Sequence, residues 1–277
     1  MSVSRKVSVL LETACVLQRL RTIRPRVHCI TGALTQSATS GILRALGPVP
    51  SMSTSASDAS AFVEVVDALF VDLDVLDESG IDALDDVVKA ANQIRVPWVL
   101  DPSMTDRSPA QRDAALRLLE RRPSVVRVNV TELLALLPEK QSIAGFARDR
   151  DITVALSGVV DTVSDGRRQF MLENGHEMMG LTTGLGAAMT AVIAAACVVE
   201  RAPLVAAATG LSLVNIAGEI AAGQAHGPKS FSIAILDALH AVSERDVKRR
   251  IKANEECLKA VDLAVPGRET TRELTAT

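Results

Sequence analysis

Short runs of apolar and β-branched residues alternate with helix-length segments along most of this chain. The runs are RVHCIT at 26–31, VPSMS at 49–53, ALFVDLD at 68–74, WVLD at 98–101, SVVRVN at 124–129 and ITVALS at 152–157. Strands that are apolar along nearly their whole length are typical of parallel sheets, which helices cover on both faces. The alternation therefore predicts an α/β fold with a mostly parallel central sheet and helices on both sides of it.

The pattern changes after residue 157. Two short strand-like runs flank an Asp165–Gly166 turn within residues 162–172 and predict a β-hairpin. The remainder reads as helical, with a helix over 187–199, another that begins at Pro203 and a third that begins near Ser230 as its N-cap. Residues 244–256 alternate in charge sign, so we interpret them as the solvated face of a late helix.

Nothing in the composition divides the 277 residues into separate units, because there is no Pro/Gly/Ser-rich linker and no internal repeat. We predict a single domain over residues 1–265 and a polar C-terminal tail over 266–277. Near the N-terminus, Glu12 interrupts an apolar run, which favours a helix over a signal peptide.

Charge and composition exclude several classes of partner. The net charge is −3, its two signs are mixed along the chain and only 2% of the residues are aromatic, which argues against nucleic-acid binding. The four cysteines lack disulfide or metal-ligand spacing, so reduced thiols in the cytoplasm are expected. The apolar stretch at 187–199 is shorter than the roughly 20 residues that span a bilayer, so no membrane partner is expected.

Polar residues end the strand-like runs. Ligands of parallel α/β sheets bind at the carboxyl ends of the strands, so these residues are the first candidates for a site. They are Thr31, Asp72, Asp74, Asp101, Asn129, Glu132 and Ser157.

A glycine turn followed by an apolar helix is the strongest single element of the sequence. Residues 181–196 read LTTGLGAAMTAVIAAA, with Gly184 and Gly186 at the start of the helical part. Backbone N–H groups at such a turn and the positive end of the helix create an anion site, which suggests that phosphate is held there. A G-x-G pattern alone gives many false positives.

Two further segments have both a functional and an ordinary interpretation. Asp101 and Glu132 could anchor Mg²⁺ directly or through water, since that ion prefers oxygen ligands. Equally, Asp101–Pro102 could be a strand-ending turn, and Glu132 could satisfy the first turn of a helix. Ser157–Gly158 could bond a phosphate through its hydroxyl and amide, or could be a plain turn.

Together these segments resemble the hydroxyethylthiazole kinase family, a branch of the ribokinase-like fold that phosphorylates the thiazole alcohol used in thiamine salvage. The resemblance covers about residues 27–242. The matching motifs, in order, are VHCIT at 27–31, ALG at 45–47 with Met52 after it, VVRVNVTEL at 125–133, SGVVDTVSDG at 157–166, NGH at 174–176, TGLG at 183–186 and GPKSF at 227–231.

The resemblance implies ATP and Mg²⁺ as cofactors, a small alcohol as substrate and a homotrimer with the active site between subunits. The residues it assigns fall into four groups. Nucleotide would contact Arg127, Asn129, Ser157 and Gly158. Magnesium would be held by Asp101 and Glu132. The acceptor pocket would contain Gly32, Met52, Asp72, Asp74 and Gly184. The transferring group would lie against Gly184, Gly186 and Ala187.

This chain departs from the family pattern where the chemistry occurs. Gly32 replaces an asparagine, Asp72–Val75 replaces Asn-Ile-Gly-Thr, and the loop Asp101–Asp106 has lost two glycines. Ala187 occupies the position of the usual proton acceptor, and a general base contributes roughly 10²–10⁴-fold to such a reaction. We therefore expect a slow kinase or one with an altered substrate. The alternatives are a non-catalytic ligand-binding paralogue and a lyase that resembles the nucleotide-hydrate dehydratases.

Overall fold

A computed structural model describes residues 3–55, 59, 61–75, 78–138 and 141–258. The polar tail predicted at 266–277 lies outside these described residues. In chain order, the elements are α1 (Val3–Ile23), β1 (Arg26–Ile30), α2 (Ala33–Leu46), β2 (Val49–Ser53), β3 (Ala68–Asp72), α3 (Glu78–Ile94), β4 (Trp98–Asp101), α4 (Pro109–Leu119), β5 (Val125–Asn129), α5 (Val130–Leu136), α6 (Ile143–Arg150), β6 (Thr153–Ser157), β7 (Asp161–Ser164), β8 (Arg168–Leu172), α7 (Leu185–Val199), α8 (Pro203–Ala222), α9 (Pro228–Ala241), α10 (Glu244–Arg250) and β9 (Ala253–Cys257).

The strands form one sheet in the order β2-β1-β3-β4-β5-β6-β7-β8-β9. Every pairing from β2 across to β6 is parallel, and the pairings of β6 with β7, β7 with β8 and β8 with β9 are antiparallel. The mostly parallel sheet and the hairpin about Asp165–Gly166 are therefore confirmed. Because β1 to β6 are parallel, their carboxyl ends lie along a single edge of the sheet.

Helices cover both faces of the sheet, as the apolar strands predict. On one face the core contains residues of α1, α2, α7, α8 and α9, and on the other face it contains residues of α3, α4, α5 and α6. Helices α7 and α8 are rich in alanine and are buried along most of their length. Within the described residues, α8 alone is long and apolar enough to cross a membrane, yet 83% of its most apolar window is buried inside the fold. It serves here as a core helix.

Three local expectations differ from the structure. The charged stretch at 244–256 is helical only to Arg250, and residues from Ala253 form an edge strand paired with β8. Helix α9 begins at Pro228, and its N-cap is Gly227 rather than Ser230. Ser230 is the third residue of the helix, and its hydroxyl accepts a hydrogen bond from the backbone N–H of Gly227 at 3.1 Å. Helix α7 begins at Leu185, two residues earlier than expected.

Candidate functional site

The strand-ending residues gather at the carboxyl edge of the sheet, where the N-terminus of α7 also arrives. Asp72 of β3 and Asp101 of β4 are register partners, and Asn129 of β5 is the register partner of Ser157 of β6. Parallel pairing thus brings together groups that lie far apart in the sequence.

Arg127 is the cation of this cluster. Its Nε donates a hydrogen bond to Ser157 Oγ at 2.9 Å, and its Nη1 lies 3.6 Å from Asp101 Oδ2. The Arg127 side chain is only 14% exposed and that of Asp101 only 3% exposed. A guanidinium that is so little hydrated, and whose ion pair with Asp101 is this long, retains donors for an anionic ligand.

The two glycines at the start of α7 allow close approaches from neighbouring elements. A Cβ at Gly186 would lie 3.1 Å from Arg127 Nη1, so a larger residue there would push the guanidinium away by a few tenths of an ångström. Gly184 has φ +81, and a Cβ there would lie 3.0 Å from Ala38 Cβ of α2. The glycines therefore bring Arg127 and helix α2 against the first turn of α7.

The start of α7 presents backbone donors without any acidic or basic side chain. Gly184 is the N-cap, and the N–H groups of Gly186 and Ala187 fall in the first turn, where a helix provides no acceptor of its own. The helix dipole adds partial positive charge at this end. Ala187 is 9% exposed and offers a methyl group, so the geometry favours anion binding but supplies no proton acceptor at this position.

Asp101 is held from two sides by hydroxyl groups. Thr190 Oγ1 of α7 donates to its Oδ2 at 2.6 Å, and Ser103 Oγ contacts its Oδ1 at 3.1 Å. Ser103 Oγ also contacts Asp72 Oδ1 at 2.8 Å. Ser103 thus links the two carboxyl groups of neighbouring strands.

Asn129 and Glu132 form the capping box of α5. Asn129 Oδ1 accepts the N–H of Glu132, and Glu132 Oε2 accepts the N–H of Asn129, both at 2.9 Å. The helix-start interpretation of Glu132 is therefore confirmed, and the Asn129 side chain is engaged in the cap. Burial, together with the nearby charge of Asp101, raises the pKa of Glu132 to about 7.

The carboxylates of Asp101 and Glu132 provide the oxygen ligands that a hard divalent cation prefers. Glu132 and Asp101 are buried and interact electrostatically, and a bound cation would relieve the repulsion between them. No group of three or more His, Cys, Asp or Glu side chains forms a metal cage in the described ranges. Mg²⁺ often retains several waters and also uses substrate phosphates, so two protein carboxylates suffice.

The residues assigned to the acceptor side lie near β1, β2 and β3. The Asp72 carboxylate accepts from Thr31 Oγ1 at 2.8 Å and from the N–H of Asp74 at 3.0 Å. Burial and the charge of Asp101 raise the pKa of Asp72 above its ordinary value. Met52 is half-buried in the edge strand β2. Gly32 caps α2 with φ −60, a conformation that any residue adopts, so its backbone does not require glycine.

A cavity of about 610 Å³ opens beside Arg127 and Gly186, away from Asp72. Its volume lies in the usual range of roughly 300–1,000 Å³ for small-molecule sites. Ser157 and Gly158 line it, but the Gly158 N–H donates to Asp161 Oδ1 at 2.9 Å and is therefore already used. Of the Ser157–Gly158 pair, the Ser157 hydroxyl is the group that retains a hydrogen for a ligand.

The loop after Asp101 has a left-handed backbone at Met104, where the resemblance places a lost glycine. Met104 has φ +66, and its side chain is part-exposed rather than packed in the core. A left-handed conformation costs a residue with a Cβ about 1–2 kcal/mol. Met104 thus adopts a strained backbone conformation that a glycine would adopt without cost.

Met104→Gly is expected to raise the free energy of unfolding by about 0.5 kcal/mol, since relief of the strain exceeds the added entropy of the unfolded chain. Urea denaturation followed by circular dichroism measures this change. Val159→Gly is the matched control, because Val159 is 89% exposed and is not among the residues with positive φ. Equal destabilisation by both substitutions would show that Met104 is unstrained.

Several groups of the site were not singled out from the sequence. Thr190 donates to Asp101, and Ser103 contacts Asp72. Asp161 accepts the N–H of Gly158. Thr190 lies four residues after Gly186, so the helical period was the signal that would have placed it near the anion site. Asp161 lies within the motif at 157–166, which gave it no role, and Ser103 carries no comparable pattern.

Solved structures that share this arrangement of strands and helices include pyridoxal kinases and a ribokinase-like superfamily protein from Enterococcus faecalis. One is a pyridoxal kinase from Staphylococcus aureus in complex with AMP-PCP and pyridoxal, with a TM-score of 0.56, 15% identity, and coverage of 71% of this chain and 88% of that chain. At that identity the likeness shows the fold alone. The predicted ribokinase-like α/β fold is confirmed.

The family assignment is more specific. A model of the hydroxyethylthiazole kinase family matches residues 17–245, and the chain belongs to that family of phosphotransferases. A probable hydroxyethylthiazole kinase from Agrobacterium fabrum is 35% identical over 245 residues, which are 88% of this chain and 96% of the relative. A hydroxyethylthiazole kinase from Granulibacter bethesdensis is 36% identical over 257 residues, 86% of this chain and 94% of the relative.

A solved hydroxyethylthiazole kinase structure from Pyrococcus horikoshii agrees with this assignment. Its TM-score is 0.84 at 32% identity, and the match covers 88% of this chain and 98% of that chain. The protein is therefore an enzyme of the kinase class that acts on a small molecule, and membership of this family implies the use of ATP. These relatives are named as kinases, which argues against the lyase alternative.

Proposed function

We propose that this protein transfers the γ-phosphoryl group of ATP, in the presence of Mg²⁺, to the hydroxyl group of a small alcohol. The acceptor suggested by the family is 4-methyl-5-(2-hydroxyethyl)thiazole, the alcohol of thiamine salvage. The observation that supports this most directly is Arg127, a largely buried guanidinium that contacts Ser157, lies against Gly186 and lines the 610 Å³ cavity.

In this proposal, each group acts on the charge of the triphosphate. Arg127 donates to phosphate oxygens, and the first N–H groups of α7 point at the transferring group. Asp101 and Glu132 would hold Mg²⁺, which neutralises phosphate charge when it is bound. Positioning and charge stabilisation account for most of the acceleration of phosphoryl transfer, so these groups support catalysis without a nearby base.

The proton balance of the reaction explains why we propose a slow enzyme. The alcohol oxygen forms a bond to phosphorus, the bond between phosphorus and the bridging oxygen of ADP breaks, and the hydroxyl proton is released. Ala187 cannot accept that proton, so it passes to solvent. The missing base lowers the rate by roughly 10²–10⁴-fold relative to a kinase that has one.

We further propose a homotrimer in the cytoplasm, with the acceptor pocket at a subunit boundary. Leu34 and Leu181 are 85% and 65% exposed and lie close in sequence to Thr35 and Gly184, where a Cβ on Gly184 would lie 3.3 Å from Thr35 Cα. Large exposed apolar side chains beside a site favour contact with another copy of the chain.

The proposed activity is tested by coupled detection of ADP release with a panel of small alcohols that includes the thiazole alcohol. Slow turnover that depends on both Mg²⁺ and the alcohol is expected. Absence of turnover with every alcohol at high enzyme concentration would contradict the proposal.

Ala187 also favours a second candidate function, a non-catalytic protein that binds a small ligand in the same fold. Calorimetry separates the two candidates, since only the kinase needs to bind Mg·ATP. Tight binding of a small alcohol without any binding of ATP would support the second candidate.

Glu132→Gln is expected to weaken the binding of Mg·ATP about tenfold, because it removes one negative charge that faces the cation. The glutamine oxygen can still accept the Asn129 N–H, so α5 keeps its cap. Calorimetric titration measures the change. Asp246→Asn is the matched control, because Asp246 forms a capping box with Ser243 on α10. An unchanged affinity of the Glu132→Gln variant for Mg·ATP would show that Glu132 does not bind the metal.

A further inference from the structure

Thr190 makes an unusual contact for a threonine inside an apolar helix. It is fully buried on α7, and its Oγ1 lies 2.6 Å from Asp101 Oδ2 and 3.2 Å from the backbone oxygen of Gly186. A hydroxyl has a single hydrogen, and a short contact to a carboxylate is the stronger of the two bonds. Thr190 therefore donates to Asp101.

Thr209 of α8 shows the ordinary behaviour of such a residue. It is also fully buried, and its hydroxyl contacts only oxygens of its own helix, at 2.8 Å from Val205 O and 3.1 Å from Ala206 O. Thr190 instead connects α7 to the end of β4. This bond joins the helix whose N-terminus forms the anion site to the strand that carries a proposed Mg²⁺ ligand.

The bond from Thr190 to Asp101 also affects the ion pair between Asp101 and Arg127. Arg127 Nη1 lies 3.6 Å from Asp101 Oδ2, which is longer than the roughly 2.7–2.9 Å of a charge-assisted hydrogen bond. Thr190 bonds that same oxygen at 2.6 Å. Without the hydroxyl, the carboxylate would gain by turning toward Arg127 and closing the ion pair. The guanidinium would then have fewer donors for phosphate, and the carboxylate would no longer face the cation.

We propose that Thr190 is a positioning residue for phosphoryl transfer, and that its hydroxyl holds Asp101 for the metal while it keeps Arg127 available to the nucleotide. This role rests on the proposed kinase function. Thr190 acts through Asp101 and Arg127, so its loss should weaken the binding of Mg²⁺ and ATP and leave the binding of the alcohol unchanged.

The test compares Thr190→Val, which keeps the shape and removes the hydroxyl, with Thr190→Ser, which keeps the hydroxyl. Loss of a bond that orients a metal ligand costs about 10–100-fold, so Thr190→Val should raise the KM for Mg·ATP about tenfold. The KM for the alcohol should stay unchanged, and Thr190→Ser should behave as the wild-type protein. Thr209→Val is the matched control and should leave both constants unchanged.

A second readout does not depend on turnover. Calorimetric titration with Mg²⁺ and AMP-PCP should show binding to Thr190→Val weakened about tenfold and binding to Thr190→Ser near that of the wild type. Equal affinities in all variants, equal impairment in the serine variant, or equal impairment in Thr209→Val would each overturn the role of Thr190. Absence of ADP release by the wild-type protein would instead overturn the kinase function, and the calorimetric comparison would still decide whether Thr190 positions the site.

Discussion

Arg127→Met is expected to lower kcat/KM for Mg·ATP by about 10³-fold, since an arginine that stabilises transferred phosphoryl charge contributes about 10³–10⁵-fold. Methionine keeps much of the apolar stem and removes the cation. The loss has two physical sources. The triphosphate loses its buried donor, and Asp101 loses the positive charge that lies 3.6 Å from its carboxylate. Steady-state ADP release measures the change.

Arg117→Met is the matched control for this substitution. Arg117 is 60% exposed and pairs with Asp82 at 3.2 Å on the surface, so its loss should leave the kinetic constants unchanged. Arg127→Lys should restore only part of the activity, because an ammonium cannot bond Ser157 and a phosphate in the fixed geometry of a guanidinium. A variant Arg127→Met that is folded and retains activity within threefold of the wild type would contradict the proposed nucleotide site.

Ala187→Asp is expected to raise kcat about 10²-fold, the lower part of the contribution of a general base. Position 187 is the third residue of α7, where the positive end of the helix stabilises a carboxylate and keeps it ionised near neutral pH. An ionised aspartate there could take the proton that otherwise passes to solvent. Single-turnover measurements with the thiazole alcohol separate this chemical step from product release.

Ala187→Asn is the matched control for the gain of activity. Asparagine has nearly the same size as aspartate and cannot accept the proton, so its kcat should stay at or below that of the wild type. An equal gain in both variants would show that side-chain volume, rather than proton transfer, limits the reaction. No gain with aspartate would show that the alcohol does not bind beside the start of α7.

The sequence predicted the strands of the parallel part of the sheet and the edge at which the site forms, because both follow from local patterns. Asp72 and Asp101 end their strands, and parallel pairing makes them register partners. The cluster about Arg127 was predicted by the family resemblance and by the strand-end rule together. The structure adds the contacts within it, such as the bond from Arg127 to Ser157.

The contacts that orient the site could not be predicted, because they join residues far apart in the sequence. Thr190 and Asp101 are separated by 89 positions, and a threonine in an apolar helix gives no sign of such a partner. The strand at 253–257 was missed for a different reason. Its sequence ANEEC is charged and lacks β-branched residues, and pairing with β8 overrides that weak propensity. A third limit concerns Met104, because a positive φ at a residue other than glycine cannot be read from the sequence.

Helix α7 is a central part of the hydrophobic core, and in the proposed function its N-terminus also binds the anion. Its residues from Ala187 to Ala196 are all buried, most of them alanines packed between the sheet and its neighbouring helices. Dipoles fixed in this way before a substrate arrives need little reorganisation during the reaction. Enlarging an alanine of the later turns, such as Ala191 or Ala194, would therefore displace the donors at the far end of the helix. The packing of the core around α7 thus influences kcat. Selection for a well-packed interior therefore also acts on the rate of the proposed reaction.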